Sequence, residues 1–187
     1  MKKRIFIAVD IPPEAKRRVS EYIDALRNDF SNLRVGWEKA EKLHITLKFL
    51  GDVEPEDLSG LIEAVEKKAG KLSKFTVKIE RTGVFPNERK ARILWLGFGD
   101  ETDGLQKIYD LLETVCEKTG FKTEKRAFKP HLTIARLRAP DKSADLAKKH
   151  LEKEFEPAGF EVCEIVIYES KLQPSGSFYI PVERISI

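Results

Sequence analysis

Cysteine, methionine, glutamine and asparagine are all scarce in this chain of 187 residues, which has two Cys, one Met, two Gln and three Asn. Cys116 and Cys163 form no Cys-x-x-Cys pair, which argues against a zinc or redox motif and favours a reducing cytoplasm. Whether they form a disulfide is left open. Few thermolabile residues beside 34 Lys+Arg and 31 Asp+Glu are typical of a very thermophilic source, although a charge-rich mesophilic protein has a similar composition.

Long apolar runs are also absent. The apolar run nearest the N-terminus extends only from Ile5 to Val9 and ends at Asp10. That run is too short for a signal peptide or a membrane span, so we expect no membrane association. The net charge of +3 is a mild bias that does not by itself predict nucleic-acid binding. The length suits one domain, which we expect to be a cytoplasmic monomer.

One eight-residue stretch occurs twice. Residues 39–46 read KAEKLHIT and residues 126–133 read RAFKPHLT, an offset of 87 positions with four of the eight residues identical. Two of the three histidines lie in this repeated stretch. Helix-like and strand-like segments elsewhere follow the same offset. The sequence therefore predicts an internal repeat of about residues 4–90 and 91–187 within a single domain spanning 1–187.

Helical and strand patterns alternate along the chain. Val19, Ile23 and Leu26 have helical spacing, whereas Phe75, Val77 and Ile79 alternate with polar residues as in a half-exposed strand. Short connections between strands favour antiparallel sheets. We therefore predict an α+β fold with two lobes related by a pseudo-twofold axis and a groove between them.

The repeated stretch places the same three residue types on one face of a strand, because side chains at positions i and i+2 share a face. These residues are Lys42, His44 and Thr46 in the first copy and Lys129, His131 and Thr133 in the second. The lysines join this face only if each strand extends back to them. A pseudo-twofold axis would turn the two sets toward each other across the groove.

Two imidazoles facing one groove suit phosphoryl transfer. One can take a proton from the attacking oxygen while the other gives a proton to the leaving oxygen. Threonine hydroxyls and lysine ammonium groups can hold the non-bridging oxygens of the phosphate. Neither His44 nor His131 has a second histidine or a carboxylate at metal-ligand spacing. We therefore expect neither a metal nor a cofactor.

These motifs resemble those of the 2H phosphoesterase superfamily, and within it the RNA 2′,3′-cyclic phosphodiesterase or 2′-5′ RNA ligase family of bacteria and archaea. That family has two His-x-Thr-x motifs, which here are HITL at 44–47 and HLTI at 131–134. Three further stretches are similar to the family: GVFP at 83–86, RILW at 92–95 and YESKL at 168–172. The resemblance extends over essentially the whole chain.

The resemblance implies a bilobal α+β fold whose sheets carry helices on their outer faces and enclose a central cleft. It implies hydrolysis of a terminal 2′,3′-cyclic phosphate on RNA, such as the end of a tRNA half, to a 2′-phosphate. His44 would be the proton donor and His131 the proton acceptor, with Thr46, Thr133, Lys42 and Lys129 binding the substrate. The reverse reaction would join RNA ends through a 2′-5′ bond without ATP.

Two alternatives remain open from the sequence. One is a nucleotide- or RNA-binding module that has kept the cleft and lost turnover. The other is a phosphodiesterase for small cyclic nucleotides such as ADP-ribose cyclic phosphate. Intact histidines and threonines in both motifs favour an enzyme over the binding module, whereas the size of the substrate is not settled by sequence.

Other side chains are assigned by strand alternation alone. Alternation from His44 puts Lys48 on the groove face, which would make the groove electrostatically lopsided because Ala135 is its counterpart. Arg136 falls on the face opposite His131, so a phosphate contact would require a bulge. His150, on a charged helix, is expected to be exposed. Three aromatic residues are candidates to stack a base, although core packing is the commoner use of each: Trp37, Phe85 and Phe128.

Overall fold

The computed structural model describes residues 1–174 and 176–187, and within them the chain forms helices and antiparallel strands. The helices are α1 (Pro13–Asp29), α2 (Pro55–Ala69), α3 (Asp103–Lys118) and α4 (Ala144–Glu152). The strands are β1 (Lys3–Asp10), β2 (Val35–Trp37), β3 (His44–Val53), β4 (Phe75–Phe85), β5 (Ile93–Phe98), β6 (His131–Leu137), β7 (Ala158–Val162), β8 (Glu164–Gln173) and β9 (Gly176–Ser186). The predicted α+β class is confirmed.

The strands form two sheets in which neighbouring strands are antiparallel. The first sheet has the order β3-β1-β8-β9, and the second has the order β2-β6-β5-β4-β7. The apolar runs of β1 and β5 place both strands inside their sheets, where they have a neighbour on each side. The predicted architecture of two antiparallel sheets is therefore also confirmed.

Each sheet contains strands from both halves of the sequence. β4 follows β3 in the chain but pairs with β5 and β7 in the second sheet. β8 begins 79 residues after β4 ends, and it pairs with β1 in the first sheet. The first half therefore contributes β2 and β4 to the second sheet, the second half contributes β8 and β9 to the first sheet, and neither sheet consists of a single half.

The helices pack against the sheets in pairs. α2 and α3 contact each other, and they also contact β9 and β3 of the first sheet, whereas α1 and α4 contact β7 and β4 of the second. The sequence of α1 favours a helix that packs on a sheet, because Pro13 suits the first turn and the buried apolar residues have helical spacing. These buried residues are Ala15, Val19, Tyr22, Ile23 and Leu26.

The structure also bears on membrane-spanning helices and on the two cysteines. Within the described part of the chain, no helix has both the length and the apolarity that crossing a bilayer requires. Cys116 is buried, Cys163 is exposed, and neither is part of a disulfide.

The expectation that His150 is exposed is wrong, because this side chain is 0% exposed. Its Nε2 lies 3.1 Å from each of the carbonyl oxygens of Gly83 and Trp95. Carbonyl oxygens only accept, so Nε2 carries the proton and Nδ1 accepts the hydroxyl of Tyr22 at 2.9 Å. His150 therefore links α4 to α1 and to the adjacent strands β4 and β5.

We expect the buried His150 to make the fold sensitive to mild acid. Burial lowers the pKa of His150 against the opposing effect of its two carbonyl hydrogen bonds, whereas an unfolded histidine titrates near ~6.5. The unfolded chain then binds more protons below that pH. The free energy of unfolding should fall by up to about 1.4 kcal/mol for the first pH unit below ~6.5 through this residue.

Urea unfolding of the wild type and of His150→Gln at pH values about one unit on either side of ~6.5 measures this effect. The variant should lose less stability on acidification than the wild type. Lys148→Gln, on the exposed side of the same helix, should lose as much as the wild type. Equal losses in all three proteins would contradict the expectation.

Candidate active site

A cleft of about 570 Å³ lies between the two sheets, at the place where β3 contacts β6. Its walls include His44 and Thr46 from β3 and His131 and Thr133 from β6. The structure therefore brings together both histidines and both threonines of the repeated stretch. The volume falls in the range of about 300–1,000 Å³ that small-molecule sites occupy.

Both histidines are oriented by the backbone just before their strand. The ring atom Nδ1 lies 2.6 Å from the carbonyl oxygen of Lys42 in His44 and 2.7 Å from that of Lys129 in His131. Because a carbonyl oxygen only accepts, Nδ1 is the protonated nitrogen in both rings. The remaining nitrogen, Nε2, is left for chemistry in each case.

The surroundings of the two Nε2 atoms differ. In His44 this atom lies 3.0 Å from the hydroxyl oxygen of Thr46, whereas no protein group in the described residues hydrogen-bonds Nε2 of His131. The hydroxyl of Thr46 accepts from a protonated His44 or donates to a neutral one. The second histidine can accept a proton without first breaking a hydrogen bond.

The two motif lysines are placed differently from each other. Each lies before the start of its strand, and Lys42 belongs to a short 3-10 helix at Ala40–Lys42. The side chain of Lys42 lines the cleft, whereas that of Lys129 is exposed and does not belong to the described lining. What the two lysines share is a backbone carbonyl that orients the histidine two residues later.

Two β-bulges invert the alternation that the sequence analysis assumed. In the β1–β3 pair Leu47 is an extra residue, since Ala8 pairs with Thr46 and Ile7 with Lys48. In the β5–β6 pair the extra residue is Ile134. Beyond each bulge, side chains that would have faced the cleft turn away from it and their neighbours turn toward it.

The prediction that Lys48 faces the cleft is wrong for this reason. Lys48 is 5% exposed and points toward α3, where its Nζ lies 2.5 Å from Oε1 of Glu113. The opposite correction applies to Arg136, which the bulge at Ile134 turns into the cleft. Arg136 is the main residue of the site that simple alternation missed.

The walls of the cleft carry more positive than negative charge. Among the described residues, four basic side chains line it, together with one carboxylate, that of Glu38, which lies 3.6 Å from Nε of Arg136. The basic residues are Arg4, Lys42, Arg136 and Arg138. An anionic ligand would therefore be attracted to the same cleft that holds the two imidazoles.

Aromatic rings surround both histidines. The ring of His44 lies 5.0 Å from that of Phe6 and 5.3 Å from that of Tyr179, and His131 lies 5.0 Å edge-on to Phe85. Of the other aromatic candidates, Trp37 lines the cleft, whereas Phe128 stacks on Tyr109 at 4.5 Å away from the lining. The exposed Phe49 also lines the cleft, and alternation had not singled it out.

Burial lowers the pKa of both histidines. In His44 this effect is opposed by the hydrogen bond to Lys42 and by the Asp10 carboxylate, and Lys16 and Arg136 add to it. In His131 it is opposed by the hydrogen bond to Lys129, and Arg136 adds to it. Both rings are therefore biased toward the neutral form, and only His44 has a carboxylate that counters this bias.

Comparison with known proteins identifies the family. The family model described as LigT like Phosphoesterase matches residues 9–95 and 98–179, and each matched segment contains one His-x-Thr motif. An RNA 2′,3′-cyclic phosphodiesterase of Thermotoga maritima is 33% identical and covers 94% of this chain and 91% of its own. The protein of the same name from Methanothermobacter thermautotrophicus is 33% identical and covers 98% of each chain.

Solved structures show the same fold. The structure of E. coli LigT complexed with 3′-AMP has a TM-score of 0.79 at 23% identity and covers 100% of this chain and 99% of its own. That of TT0787 from Thermus thermophilus has a TM-score of 0.79 at 25% identity and covers 98% and 97%. On the family model and the relatives at 33% identity, this protein belongs to the LigT-like phosphoesterase family.

Proposed function

We propose that this protein is a phosphodiesterase that opens a 2′,3′-cyclic phosphate at the 3′ end of RNA to a 2′-phosphate. One observation carries the proposal: two imidazoles, each with Nδ1 held by a carbonyl, line a single cationic cleft. The names of the relatives, RNA 2′,3′-cyclic phosphodiesterases, support this substrate.

In the proposed reaction, Nε2 of His131 takes a proton from water as the water oxygen attacks phosphorus. The bond from phosphorus to the 3′ oxygen breaks, and Nε2–H of His44 gives its proton to that oxygen. The product carries a 2′-phosphate and a 3′-hydroxyl group. His131 is assigned as proton acceptor because its Nε2 is free of protein partners among the described residues, and His44 as donor because a carboxylate favours its charged form.

Charge that develops on the phosphate is stabilised by the groups around the histidines. The hydroxyls of Thr46 and Thr133 lie in the same cleft and can donate to non-bridging oxygens. Lys42 and Arg136 supply positive charge, and a guanidinium can hold two phosphate oxygens at once. Since side chains supply both proton transfers and the charge stabilisation, the proposed reaction requires no cofactor.

The proposal extends to ligation. The same in-line displacement can run with a 5′-hydroxyl group in place of water and the 3′ oxygen again as leaving group, so the cleft would join RNA ends through a 2′-5′ bond without ATP. In that step His131 takes the proton of the 5′-hydroxyl. tRNA halves with cyclic-phosphate ends are substrates of the proposed class. A monomer in the cytoplasm would suffice for both hydrolysis and ligation.

The function is tested with a short RNA that ends in a 2′,3′-cyclic phosphate, followed by identification of the product. A terminal 2′-phosphate is the expected result, and a 3′-phosphate would overturn the assignment of the leaving oxygen. Binding without turnover would identify a binding module instead. Faster hydrolysis of ADP-ribose cyclic phosphate than of the RNA would identify a small-nucleotide phosphodiesterase.

The different placement of the two motif lysines gives a matched pair of variants. Lys42→Ala should weaken binding of RNA that ends in a 2′-phosphate and lower the slope of log affinity against log salt by about 0.7, the effect of one lost contact on a single strand. Lys129→Ala should leave the slope unchanged, because its ammonium group is exposed outside the described lining. Titrations at four or five salt concentrations measure both slopes, and equal slopes in the two variants would contradict this expectation.

A further inference from the structure

The two histidines have different residues opposite them on the neighbouring strand. Asp10 on β1 is directly opposite His44, and Gly97 on β5 is directly opposite His131. Asp10 and Gly97 are separated by the same 87 positions as the two histidines. Residues directly opposite in an antiparallel pair share a face, with Cβ atoms about 4.5–5.5 Å apart. One imidazole therefore has a carboxylate beside it, and the other has only backbone.

The carboxylate of Asp10 is fixed in place. The hydroxyl of Tyr168 donates to its Oδ1 at 2.7 Å, and Nη2 of Arg184 lies 3.2 Å from its Oδ2. The ring of Tyr168 stacks on Phe6 at 5.2 Å, and Phe6 in turn lies 5.0 Å from the ring of His44. Both oxygens of Asp10 are thus occupied by protein donors rather than by His44, whose own nitrogens bond elsewhere. Asp10 acts on His44 through its charge alone.

The position opposite His131 is closed to a carboxylate. The indole of Trp95 lies across this part of the second sheet, and a Cβ at Gly97 would come within 2.7 Å of it. At the adjacent Gly83 a Cβ would come within 2.0 Å of the same ring. Any side chain at Gly97 would therefore displace Trp95, which borders His131 and Phe85. The asymmetry is built into the packing of the cleft wall.

We propose that Asp10 is a positioning residue that favours the imidazolium form of His44, and that Gly97 at the corresponding place gives His131 no such support. This inference rests on the proposed function, because it assigns a cause to the division of that reaction between an acid and a base. A protonated His44 has Nε2–H to give to the leaving oxygen, and a neutral His131 has a lone pair to receive the proton of the nucleophile.

Among the other charged groups nearby, Lys16 and Arg136 oppose the effect of Asp10 on His44. Arg184 bonds both Asp10 and Glu164, so these three groups together carry one negative charge. The titratable groups that act on or contact His44 are Asp10 on β1, Lys16 on α1, Tyr168 on β8, Tyr179 on β9 and Arg136 on β6. Glu164 on β8 and Arg184 on β9 lie beyond them, next to Asp10 and Tyr168. On the side of His131, Arg136 acts on the ring and pairs with Glu38, and Arg81, beside Gly97, pairs with Asp100.

The proposal is tested by NMR titration of the imidazole signals in the full-length protein without substrate. In Asp10→Asn, which keeps an oxygen to accept from Tyr168, the pKa of His44 should fall by about one unit, at the low end of the range for an adjacent opposite charge. The pKa of His131 should stay where it is. Arg184→Gln removes a cation beside Asp10 and should move His44 in the opposite direction. Glu156→Gln, on an exposed carboxylate paired with Arg18, should move neither.

Hydrolysis gives a second readout. Activity requires a protonated acid, so the alkaline limb of the pH–rate profile should move to lower pH in Asp10→Asn and to higher pH in Arg184→Gln. A variant that is merely destabilised cannot produce shifts of opposite sign. An unmoved His44 titration in Asp10→Asn, or equal shifts of both histidines, would overturn the role of Asp10. If the wild type did not hydrolyse the RNA, the proposed function would fall, and the titration would still decide whether Asp10 controls His44.

Discussion

Replacement of His131 by alanine is expected to lower the rate of hydrolysis of an RNA 2′,3′-cyclic phosphate by about 100- to 10,000-fold, the usual loss when a general base is removed. The same change at His44 should cost a similar factor through loss of the general acid. Neither change should unfold the protein, because both rings line the cleft rather than the hydrophobic core and each has one hydrogen bond to backbone. Affinity for the 2′-phosphate product should largely survive, since the cationic residues of the cleft remain.

A change of leaving group separates the two histidines. With an ester whose leaving oxygen needs no proton, His44→Ala should recover much of its activity, whereas His131→Ala should stay slow because water still requires a base. Single-turnover rates on both substrates, with circular dichroism to confirm folding, measure the difference. Equal recovery of both variants would contradict the division of roles, and recovery of His131→Ala alone would reverse it.

Replacement of Lys48 by methionine is expected to lower the free energy of unfolding by about 3 kcal/mol, the low end of the cost of leaving one member of a buried ion pair alone. The side chains of Lys48 and Glu113 are only 4% and 16% exposed. Oε2 of Glu113 also accepts the backbone N–H of Glu124 at 2.8 Å, which attaches α3 to the segment that leads to His131. Without Lys48 the carboxylate keeps that single donor.

Urea unfolding measures this cost, and two further variants give it meaning. In the double variant Lys48→Met with Glu113→Leu no unpaired charge remains, so much of the stability should return. Lys148→Met removes one partner of an exposed pair with Glu152 and should change stability by less than about 1 kcal/mol. If Lys48→Met were as stable as the wild type, the buried pair would not be a determinant of stability.

Much of this structure was accessible from the sequence because the evidence was local or repeated. The apolar spacing of Val19, Ile23 and Leu26 predicted α1, and these three residues are buried in it. The repeated stretch singled out His44 and His131, which the fold places in one cleft although 87 positions separate them. Periodicity and repetition can be read without knowing which distant segments come into contact, because both depend on the order of residues alone.

The errors have a common physical origin in contacts between distant segments. A bulge is defined by the pairing with a partner strand. The extra residues Leu47 and Ile134 are ordinary strand residues rather than glycines, so the sequence does not indicate a bulge at either position. Each shifts the alternation by one and thereby exchanges the faces of Lys48 and Arg136. His150 was misplaced because its charged neighbours concealed the buried face of α4, which it shares with Leu146 and Ala147. The sequence did not predict that the carbonyl of Lys129 orients His131, because every residue has a backbone carbonyl.

The presence of β4 in the second sheet and of β8 in the first has a consequence for half-length chains. A polypeptide limited to the first half would present β1 and β3 without β8, and its β4 would lack both β5 and β7. Two copies could complete the fold only as a strand-swapped homodimer with a true twofold axis. Its cleft would hold two identical histidines, each facing an aspartate, and neither would be set apart as acid or base. In a single chain the two corresponding positions can differ, as aspartate at position 10 and glycine at position 97 do.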